Sequence, residues 1–470
     1  MFFMENNEAK PSSGSESRRE FIKKTATAAA VVATANVFKT PVYGQNQAPS
    51  TGRVIGANDR ILVGYIGVGG QGQAHVDSQK RNASENNIVQ AAVCDVSKTR
   101  NGEAKKMIGS SDVGEFEDYR KLLERKDIDA VCIATVDHWH TKTAIDALNA
   151  GKHVYVEKPM TRYLGEAFDL HDTVKKTGKI LQVGSQGCSD AKYHKAAELI
   201  GKGKIGPLVM SQGSYMRNNP KGEWNSYEIF PWVTPEDINW NMWQGSVNKK
   251  VPFNGDYFRR WRKYYPYCAG LLGDLVPHRL HPLILATGNP EFPVRVNCIG
   301  TRKIHSDKNT PGTPERDVAE SIQLLAEFPS GLTLIVASSS VNEQGFPDII
   351  RGHKATLYFG GNRVELKPER PFADEIDPES FDNLTPGEDI GEHEKNWFHC
   401  IRTGERPNAN IDLAIRVQTI ISLAEMSDRL GISCLFDEKT RKISTGDGRP
   451  VEPLSYASVT PLTYGALPLS

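Results

Sequence analysis

A glycine-rich turn directly after a short apolar run constrains the fold of this chain more than any other feature. Residues 60–66, RILVGYI, are typical of a β-strand, and residues 67–72, GVGGQG, follow with the spacing G-x-G-x-x-G. In a strand–turn–helix unit the first glycine permits a tight turn, the second lets the main chain approach a pyrophosphate, and the third lets helix and strand pack closely. The pattern predicts a dinucleotide-binding unit with contacts from Gly67, Gly69, Gly70, Gln71 and Gly72.

An acidic residue stands where such a unit would bind the ribose of the adenosine. A second apolar run, residues 88–93, ends at Cys94 and Asp95. A carboxylate at this position accepts hydrogen bonds from the ribose hydroxyls and repels a 2′-phosphate. We therefore predict NAD as the cofactor and consider NADP the weaker candidate, although Arg100 lies close enough in sequence to reduce the preference.

Strand-like and helix-like runs continue to alternate up to residue 185, which predicts a doubly wound parallel sheet. In such a sheet, ligands bind beyond the carboxyl ends of the strands. Polar residues follow two of these ends, and we expect them to contact the cofactor, although a packing role is an equal alternative for the histidine. They are Thr135, Asp137, His140, Glu157 and Lys158.

From about residue 186 the pattern changes to runs of strands joined by tight turns, such as Pro329-Ser330-Gly331. Consecutive strands of this kind predict antiparallel hairpins and an open α+β sheet. The predicted fold class is therefore α/β, with a dinucleotide-binding domain over residues 58–185 and an α+β substrate and oligomerisation domain over residues 186–470.

An insert-like region over residues 213–267 contains five of the seven tryptophans. Aromatic faces stack on the C–H faces of sugars, and guanidinium groups bind hydroxyl or acid groups. The end of this region supplies substrate candidates, with ordinary packing an equal alternative for each: Arg259, Arg260, Trp261 and Arg262.

The first 57 residues are predicted to be a targeting segment rather than part of the fold. Residues 17–23, SRREFIK, form a twin-arginine pattern, and an alanine-rich apolar stretch follows over residues 25–38. Cleavage is expected after residues 33–35, ATA, or near Gly44. The alternative is a basic tail without a targeting role. The signal predicts recognition by the twin-arginine export machinery and a periplasmic location.

Charge and cysteine content exclude several other classes. Lys+Arg and Asp+Glu each count 57, so no net charge favours nucleic acid or an anionic membrane as a partner. The seven cysteines form no C-x-x-C pair, and their odd number argues against a complete disulfide framework. No metal site is predicted.

With these residues in place, the chain resembles the glucose–fructose oxidoreductase / inositol 2-dehydrogenase / MocA family. The resemblance extends from about residue 58 to the C-terminus. The segments that carry it, besides Asp95, are GVGGQG at 67–72, IATVDHWH at 133–140, AGKHVYVEKP at 150–159, GDLVPH at 273–278 and CIRTGERPNA at 400–409. It implies that Lys158 lies near the reacting carbon and the nicotinamide, and that the outer face of the second sheet forms a homodimer or homotetramer.

The resemblance also implies a second catalytic element, an Asp and a His four residues apart, which Asp274 and His278 match. Residues at this spacing share one face of a helix, and Pro277 between them is tolerated only if the helix has just begun. A helix-start carboxylate and a packed histidine are the structural alternative. His281 stands where many relatives have an acid, so its assignment as a substrate residue is open.

The leading hypothesis is NAD(H)-dependent oxidation or reduction at a secondary alcohol of a sugar, glycoside or cyclitol. His278 would accept the hydroxyl proton and Lys158 would polarise the oxygen. Because an exported enzyme cannot draw on free NAD, we expect a tightly held cofactor that is recycled. One alternative is redox-neutral cleavage of a glycoside by oxidation, elimination and reduction, although relatives that do this often lack the lysine at position 158. The other is a non-catalytic sugar-binding protein.

Overall fold

The computed structural model describes residues 60–248, 250–305 and 313–457. The predicted twin-arginine signal and its linker, residues 1–57, lie outside these residues. Within the described part of the chain, no helix has the length and hydropathy needed to cross a membrane. The same residues contain no group of three side chains arranged to hold a metal ion.

The first half of the described chain forms a six-stranded parallel sheet in the order β3-β2-β1-β4-β5-β6. This confirms the predicted doubly wound sheet. Its strands are β1 (Ile61–Ile66), β2 (Ile88–Cys94), β3 (Gly114–Phe116), β4 (Ala130–Ile133), β5 (His153–Glu157) and β6 (Leu181–Gly184). The helices between them are α1 (Gly70–Arg81), α2 (Lys98–Ile108), α3 (Tyr119–Leu123), α4 (Asp137–Asn149) and α5 (Leu164–Thr177).

Both faces of this sheet are covered, which explains why its strands are nearly continuous apolar runs. All four residues of β4 are buried, and its Cys132 packs with apolar side chains. Helix α5 ends at Gly178, which has the left-handed conformation that glycine adopts without steric cost. The strands are therefore held rigidly, and their carboxyl ends lie along one edge.

The second half is built on a twelve-stranded, mainly antiparallel sheet, as predicted. Its path is β15-β14-β13-β12-β7-β10-β9-β8-β16-β17-β18, with β11 paired to β7 and a parallel pair between β7 and β10. The strands are β7 (Leu208–Asn218), β8 (Arg295–Thr301), β9 (Ser321–Glu327), β10 (Thr333–Ser339), β11 (Val341–Asn342), β12 (Ile349–Gly352), β13 (Ala355–Gly360), β14 (Arg363–Pro368), β15 (Glu379–Phe381), β16 (Cys434–Asp437), β17 (Lys442–Thr445) and β18 (Pro450–Val451).

Seven helices accompany this sheet in the described residues. They are α6 (Ala191–Gly201), α7 (Trp240–Gln244), α8 (Gly255–Arg259), α9 (Leu271–Asp274), α10 (Pro277–Ala286), α11 (Ile390–Thr403) and α12 (Ile411–Leu430). Short 3₁₀ turns cover Gln186–Ser189, Trp261–Lys263 and Arg370–Phe372.

One helix does not follow the predicted division of the chain into two domains. Helix α11 lies between strands β15 and β16 of the second sheet in sequence, yet Trp397 and Phe398 are buried in the core of the first sheet. The helix has one strongly apolar face, and the first sheet provides the cover that this face needs. The boundary near residue 185 therefore marks the end of the first sheet, but a later helix returns to it.

The insert-like region is shorter than expected. Strand β7 extends from Leu208 to Asn218 in the middle of the second sheet, so the predicted start at Gly213 falls inside a core strand. The chain leaves the sheet only after Asn218. Its aromatic residues then form a separate buried cluster that includes Trp240, Trp243 and Phe258.

Candidate functional site

A cavity of about 750 Å³ runs along the carboxyl ends of the first sheet and reaches helices α9 and α10 of the second half. Most of the residues predicted from sequence line it. These are Gly67, Gly69, Gly70, Gln71, Asp95, Thr135, Asp137, His140, Glu157, Lys158, Arg259, Trp261, Arg262, Asp274 and His278. The sequence thus locates this edge, and the structure shows that both halves contribute to one chamber.

The glycine turn has the geometry needed to hold a pyrophosphate. Gly67 has a φ of +82°, and a Cβ there would lie 2.6 Å from the main-chain nitrogen of Thr135. Gly72 does not line the cavity. It packs against the carbonyl oxygen of Gly67 so closely that a Cβ there would collide with it. Helix α1 begins after Gly69 with no side-chain cap and no acid in its first turn. Its free N–H groups and positive dipole end suit a phosphate, so these residues fit a dinucleotide.

Asp95 lies at the end of β2 beside this turn. Its Oδ2 accepts a hydrogen bond from the Val68 amide at 2.9 Å, and its Oδ1 accepts one from the Ser97 amide at 2.9 Å. Burial raises the pKa of Asp95, and Arg100 partly offsets this. A Cβ built on Gly69 would lie 3.2 Å from Nη1 of Arg100, so that guanidinium extends over the glycine turn. Each carboxylate oxygen has further lone-pair capacity for a ribose hydroxyl.

Two polar residues follow β4 at the start of helix α4. His140 is buried, with Nδ1 2.7 Å from the Pro159 carbonyl oxygen and Nε2 3.2 Å from that of Thr135. Asp137 is 2% exposed and lines the cavity, and its Oδ2 has no hydrogen-bond partner among the described residues. Burial raises the pKa of Asp137. A buried acceptor that faces a cavity fits a hydroxyl or amide group of a bound molecule.

Glu157 belongs to a buried network that sequence reasoning did not find. Its Oε1 is 2.8 Å from Nε2 of His75, whose Nδ1 is 2.7 Å from Oε1 of Glu394 on helix α11. Burial alone would lower the pKa of His75, but the neighbouring Cys132, Glu157 and Glu394 outweigh it and raise that pKa. Burial would raise the pKa of Glu157, but His75 brings it down to about 2. One positive imidazolium neutralises only one of the two carboxylates, so the network leaves a net negative charge beside Lys158.

Lys158 and Asp274 join the two halves of the chain inside the cavity. Lys158 Nζ lies 2.8 Å from Asp274 Oδ1, and Arg262 Nε donates to the same oxygen at 3.0 Å. The other oxygen, Oδ2, accepts from Trp224 Nε1 at 3.2 Å. Burial would raise the pKa of Asp274, but Arg262 and Lys158 hold it far below its usual range. Burial would lower the pKa of Lys158, yet Asp274 keeps it raised, so both groups are charged.

His278 begins helix α10 and faces the same space. Pro277 is the first residue of the helix, a position that needs no N–H donor, so the proline is accommodated as the sequence required. The imidazole of His278 stacks against Tyr215, with ring centroids 5.2 Å apart. Burial and then the positive charge of Lys158 lower the pKa of His278 to about 3. The imidazole is therefore neutral near pH 7 and can accept a proton.

Two residues predicted to bind substrate do not line the cavity. Arg260 follows helix α8, is buried and pairs with Asp256 at 2.9 Å. His281 is buried one turn after His278, with Nδ1 3.0 Å from Ser185 Oγ. Both side chains make these contacts outside the cavity lining.

The structure adds three residues that sequence reasoning missed. Tyr215 and Arg217 line the cavity from strand β7, and Trp224 holds Asp274. Arg217 donates to Glu223 at 2.9 Å and lies 3.4 Å from the hydroxyl of Tyr215. Tyr215 and Arg217 are two residues apart and so share one face of β7, but this spacing does not reveal which face meets the first domain.

Three features define the class of this protein: the strand order of the first sheet, the glycine turn before a helix without a side-chain cap, and the polar cavity at the carboxyl edge of that sheet. It is a Rossmann-type dinucleotide-binding protein with an α+β domain completing its site. Residues 61–185 match the family model described as "Oxidoreductase family, NAD-binding Rossmann fold". Residues 61–185 are thus similar to the NAD-binding domain of the Gfo/Idh/MocA oxidoreductases, as the resemblance predicted.

Curated relatives resemble part of the chain. The α-N-acetylgalactosaminidase of Shewanella oneidensis is 28% identical over 244 residues, which are 47% of this chain and 52% of that protein. A glycosyl hydrolase family 109 protein of Shewanella baltica is 27% identical over 245 residues, with the same coverage. The chain thus spans about half the length of the curated relatives it matches.

Solved structures share the fold over a longer stretch. An oxidoreductase domain protein from Kribbella flavida has a TM-score of 0.64 at 20% identity, covering 81% of this chain and 100% of that one. Levoglucosan dehydrogenase in complex with NADH and levoglucosan has a TM-score of 0.60 at 19% identity, covering 80% and 99%. At this identity the likeness shows the two-domain fold alone.

Proposed function

We propose that this protein is an NAD(H)-dependent oxidoreductase that acts on a secondary alcohol of a sugar, glycoside or cyclitol. The observation that carries the proposal is the charged pair of Lys158 and Asp274, which lies in one cavity with the glycine turn and a neutral His278. The NADH complex of a sugar dehydrogenase among the structural neighbours supports the same reaction class.

The cofactor end of the cavity is assigned by its donors and acceptors. The N–H groups at the start of helix α1 bind the pyrophosphate, and Asp95 binds the ribose hydroxyls. A 2′-phosphate would meet the Asp95 carboxylate, so NAD is preferred over NADP. NAD supplies a hydride acceptor, and NADH a hydride donor, at the substrate carbon.

The reaction end of the cavity provides a proton acceptor and a fixed positive charge. His278 is neutral and accepts the proton of the substrate hydroxyl when the alcohol is oxidised. Lys158 stays charged because of Asp274 and stabilises the negative charge that develops on the substrate oxygen. In the reverse direction, His278 returns the proton to that oxygen. Asp274 positions the ammonium and does not itself exchange a proton.

The substrate end has the surface expected for a carbohydrate. The guanidinium of Arg262 lies 4.1 Å from the centroid of Trp261, and both side chains line the cavity. Arg217 and Tyr215 line the wall on the side of strand β7. An aromatic face packs on C–H groups while guanidinium and phenol groups bind hydroxyls. The combination favours a polyhydroxylated substrate over an apolar one.

The test uses purified protein loaded with NAD and a panel of monosaccharides, glycosides and cyclitols. We expect at least one of them to generate the near-ultraviolet absorbance of reduced nicotinamide in the wild type and not in Lys158→Met. A protein that binds NAD and sugars but neither reduces nicotinamide with any of them nor cleaves a glycoside would instead be a sugar-binding protein.

The second candidate is redox-neutral cleavage of a glycoside, which the matches to family 109 glycosyl hydrolases favour. In that case the alcohol is oxidised, the glycosidic substituent is eliminated, water adds to the unsaturated carbonyl compound, and the carbonyl is reduced again without net consumption of NAD. Extensively dialysed protein with its bound NAD distinguishes the two. Release of the aglycone over many turnovers with no added cofactor supports glycoside cleavage, and dependence on added NAD with accumulation of NADH supports the dehydrogenase.

We further propose an exported homo-oligomer. The twin-arginine pattern supports export to the periplasm. Apolar side chains on the second sheet support self-association, because Val209 is 49% exposed, Ile299 67% and Leu325 43%. Light scattering of the wild type and of Ile299→Lys tests this, and a wild type that is monomeric at micromolar concentration would defeat the oligomer.

A further inference from the structure

Residues 232–245, here called the strap, cross the outer side of the cofactor cavity. The strap comes from the second half of the chain, and it also contacts loops of the first half. Met242 and Trp243 of the strap line the same cavity as Asp95 and Arg100. In a Rossmann domain the acid after β2 marks the adenosine half of the dinucleotide. The strap therefore lies over the place where the adenosine binds.

One end of the strap is paired with the loop between β2 and α2. Ser97 and Ile238 form an antiparallel bridge, flanked by main-chain hydrogen bonds from Lys98 to Asp237 at 3.1 Å and from Asn239 to Val96 at 2.9 Å. The Asp237 carboxylate also accepts from the Thr99 amide at 2.9 Å and from the Thr99 hydroxyl at 2.7 Å.

The other end of the strap is attached to helix α4. The carbonyl oxygen of Trp243 accepts a hydrogen bond from Trp139 Nε1 at 2.9 Å and lies 2.8 Å from His138 Nε2. Gly245 has a φ of +51°, and a Cβ there would be 2.5 Å from the ring of Trp139. The strap is thus pressed against this helix closely enough to require a glycine. Together the two attachments bridge both sides of the adenosine end.

Arg100 lies between the glycine turn and aromatic residues in or near the strap. Its guanidinium carbon is 4.4 Å from the centroid of Phe258 and 5.8 Å from that of Trp232. The same guanidinium extends over Gly69 in the glycine turn. A cation held between aromatic faces and the phosphate-binding turn is restrained in position. The strap side therefore contributes to holding the pyrophosphate as well as to covering the adenosine.

We propose that the strap encloses the adenosine half of the dinucleotide, so that NAD exchanges only when the strap detaches from the loop at residues 96–99. This inference rests on the proposed function, since it assumes that NAD occupies the cavity, but it predicts a property of binding and not of catalysis.

The Ser97–Ile238 bridge allows a direct test, because it is a non-hydrogen-bonded antiparallel pair. Such pairs have Cα atoms about 4.5 Å apart, within the range that a disulfide spans. Ser97→Cys/Ile238→Cys is loaded with NADH, chased with excess NAD, and followed by the loss of bound NADH fluorescence. We expect release to be at least tenfold slower in the oxidised form than in the same protein after reduction, with disulfide formation verified by mass.

A second variant removes one attachment without a new bond. Asp237→Ala loses the contacts to Ser97 and Thr99, and we expect NADH release about tenfold faster than in the wild type. Asp382→Ala is the matched control, because Asp382 accepts only from Ser380 on the distant second sheet among the described residues. If the disulfide does not form, the NADH release rates of Asp237→Ala and Asp382→Ala still test the proposal.

The outcomes are separable. Equal release rates in the oxidised and reduced double variant, or in Asp237→Ala and the wild type, would overturn the strap while leaving an NAD-dependent enzyme intact. Failure of the wild type to bind NADH at all would overturn the proposed function along with it.

Discussion

Lys158 Nζ lies 2.8 Å from Oδ1 of Asp274 and 2.9 Å from its main-chain oxygen. One ammonium group thus connects the carboxyl end of strand β5 to the end of helix α9, across the junction of the two halves. The contact has two consequences. It keeps the ammonium charged although it is buried, and it holds that charge at the point where the cofactor edge and the substrate end of the cavity meet.

The first prediction concerns this lysine. Lys158→Met should reduce turnover by a factor of about 10²–10⁴, the range for positioned catalytic groups. NAD binding should persist, because the glycine turn and Asp95 hold the other end of the dinucleotide. Lys176→Ala, an exposed lysine on helix α5, is the control and should keep full activity. Turnover of Lys158→Met within a few-fold of the wild type would refute the assigned role.

The second prediction concerns cofactor choice. Asp95→Ala removes the acceptor for the ribose hydroxyls, the hydrogen bond from the Val68 amide of the glycine turn and the hydrogen bond from the Ser97 amide. Affinity for NAD should fall about tenfold or more, as expected for loss of a charged hydrogen-bond acceptor, while affinity for NADP falls less. Calorimetric titration with both dinucleotides measures this, with Asp112→Ala on an exposed loop as the control. A wild type that prefers NADP would contradict the ribose assignment.

A residue of this site can be predicted from sequence when the pattern that identifies it lies within a short stretch of the chain. The glycine turn and Asp95 follow from spacing within one strand–turn–helix unit. Lys158 follows from its position at a strand end, whereas Asp274 and His278 follow from the resemblance, since nothing in the local pattern joins residues 116 positions apart. Arg260 and Arg262 are two residues apart but differ in their contacts, because the first follows the end of α8 and the second lies in the next 3₁₀ turn.

Other parts of the site depend on long-range packing and could not be predicted. His75 and Glu394 are 319 residues apart and meet only because helix α11 returns to the first domain. Trp224 reaches Asp274 from beyond β7. The fold class was accessible because alternation of strands and helices is a chain-order property. The strap was not, because its pairing partner is a loop that carries no strand pattern.

The third prediction concerns the ionisation of His278. Its pKa of about 3 in the folded protein is below the unfolded value of about 6.5, so the imidazole is neutral throughout pH 5–8. Because the folded pKa is depressed, protonation opposes folding, and the resulting loss of stability grows as the pH falls below about 6.5. Histidine NMR spectra, assigned with His278→Asn, should show no titration of this ring over that range. A titration midpoint between pH 6 and 7 would show that burial and Lys158 do not lower the pKa of His278.

The fourth prediction concerns the space around Glu157. A Cβ at Gly184 would lie 2.6 Å from Glu157 Oε1, so Gly184→Ala must displace that carboxylate from His75. We expect a loss of about 1–3 kcal/mol in the free energy of unfolding, typical of overpacking. The matched control is Gly165→Ala, which meets no atom within 4 Å on helix α5. Thermal unfolding measures both, and equal melting temperatures would mean that the Glu157 site is not tightly packed.

The fifth prediction concerns export. Replacing Arg18 and Arg19 with lysine should leave the precursor in the cytoplasm, because the twin-arginine pair is read by a receptor and not by charge alone. Fractionation and immunoblotting of both forms provide the measurement. An unchanged periplasmic yield would eliminate the twin-arginine assignment but would not affect the proposed chemistry.

The most direct test of the account is isotope transfer in a single turnover. A substrate from the sugar panel is deuterated at the secondary carbon and mixed with stoichiometric NAD-loaded protein, and the nicotinamide is analysed by mass spectrometry after quenching. The account predicts deuterium on the nicotinamide in the wild type and its absence in Lys158→Met with the same bound NAD. Turnover of the sugar in the wild type with no deuterium on the nicotinamide would contradict hydride transfer and, with it, the central claim.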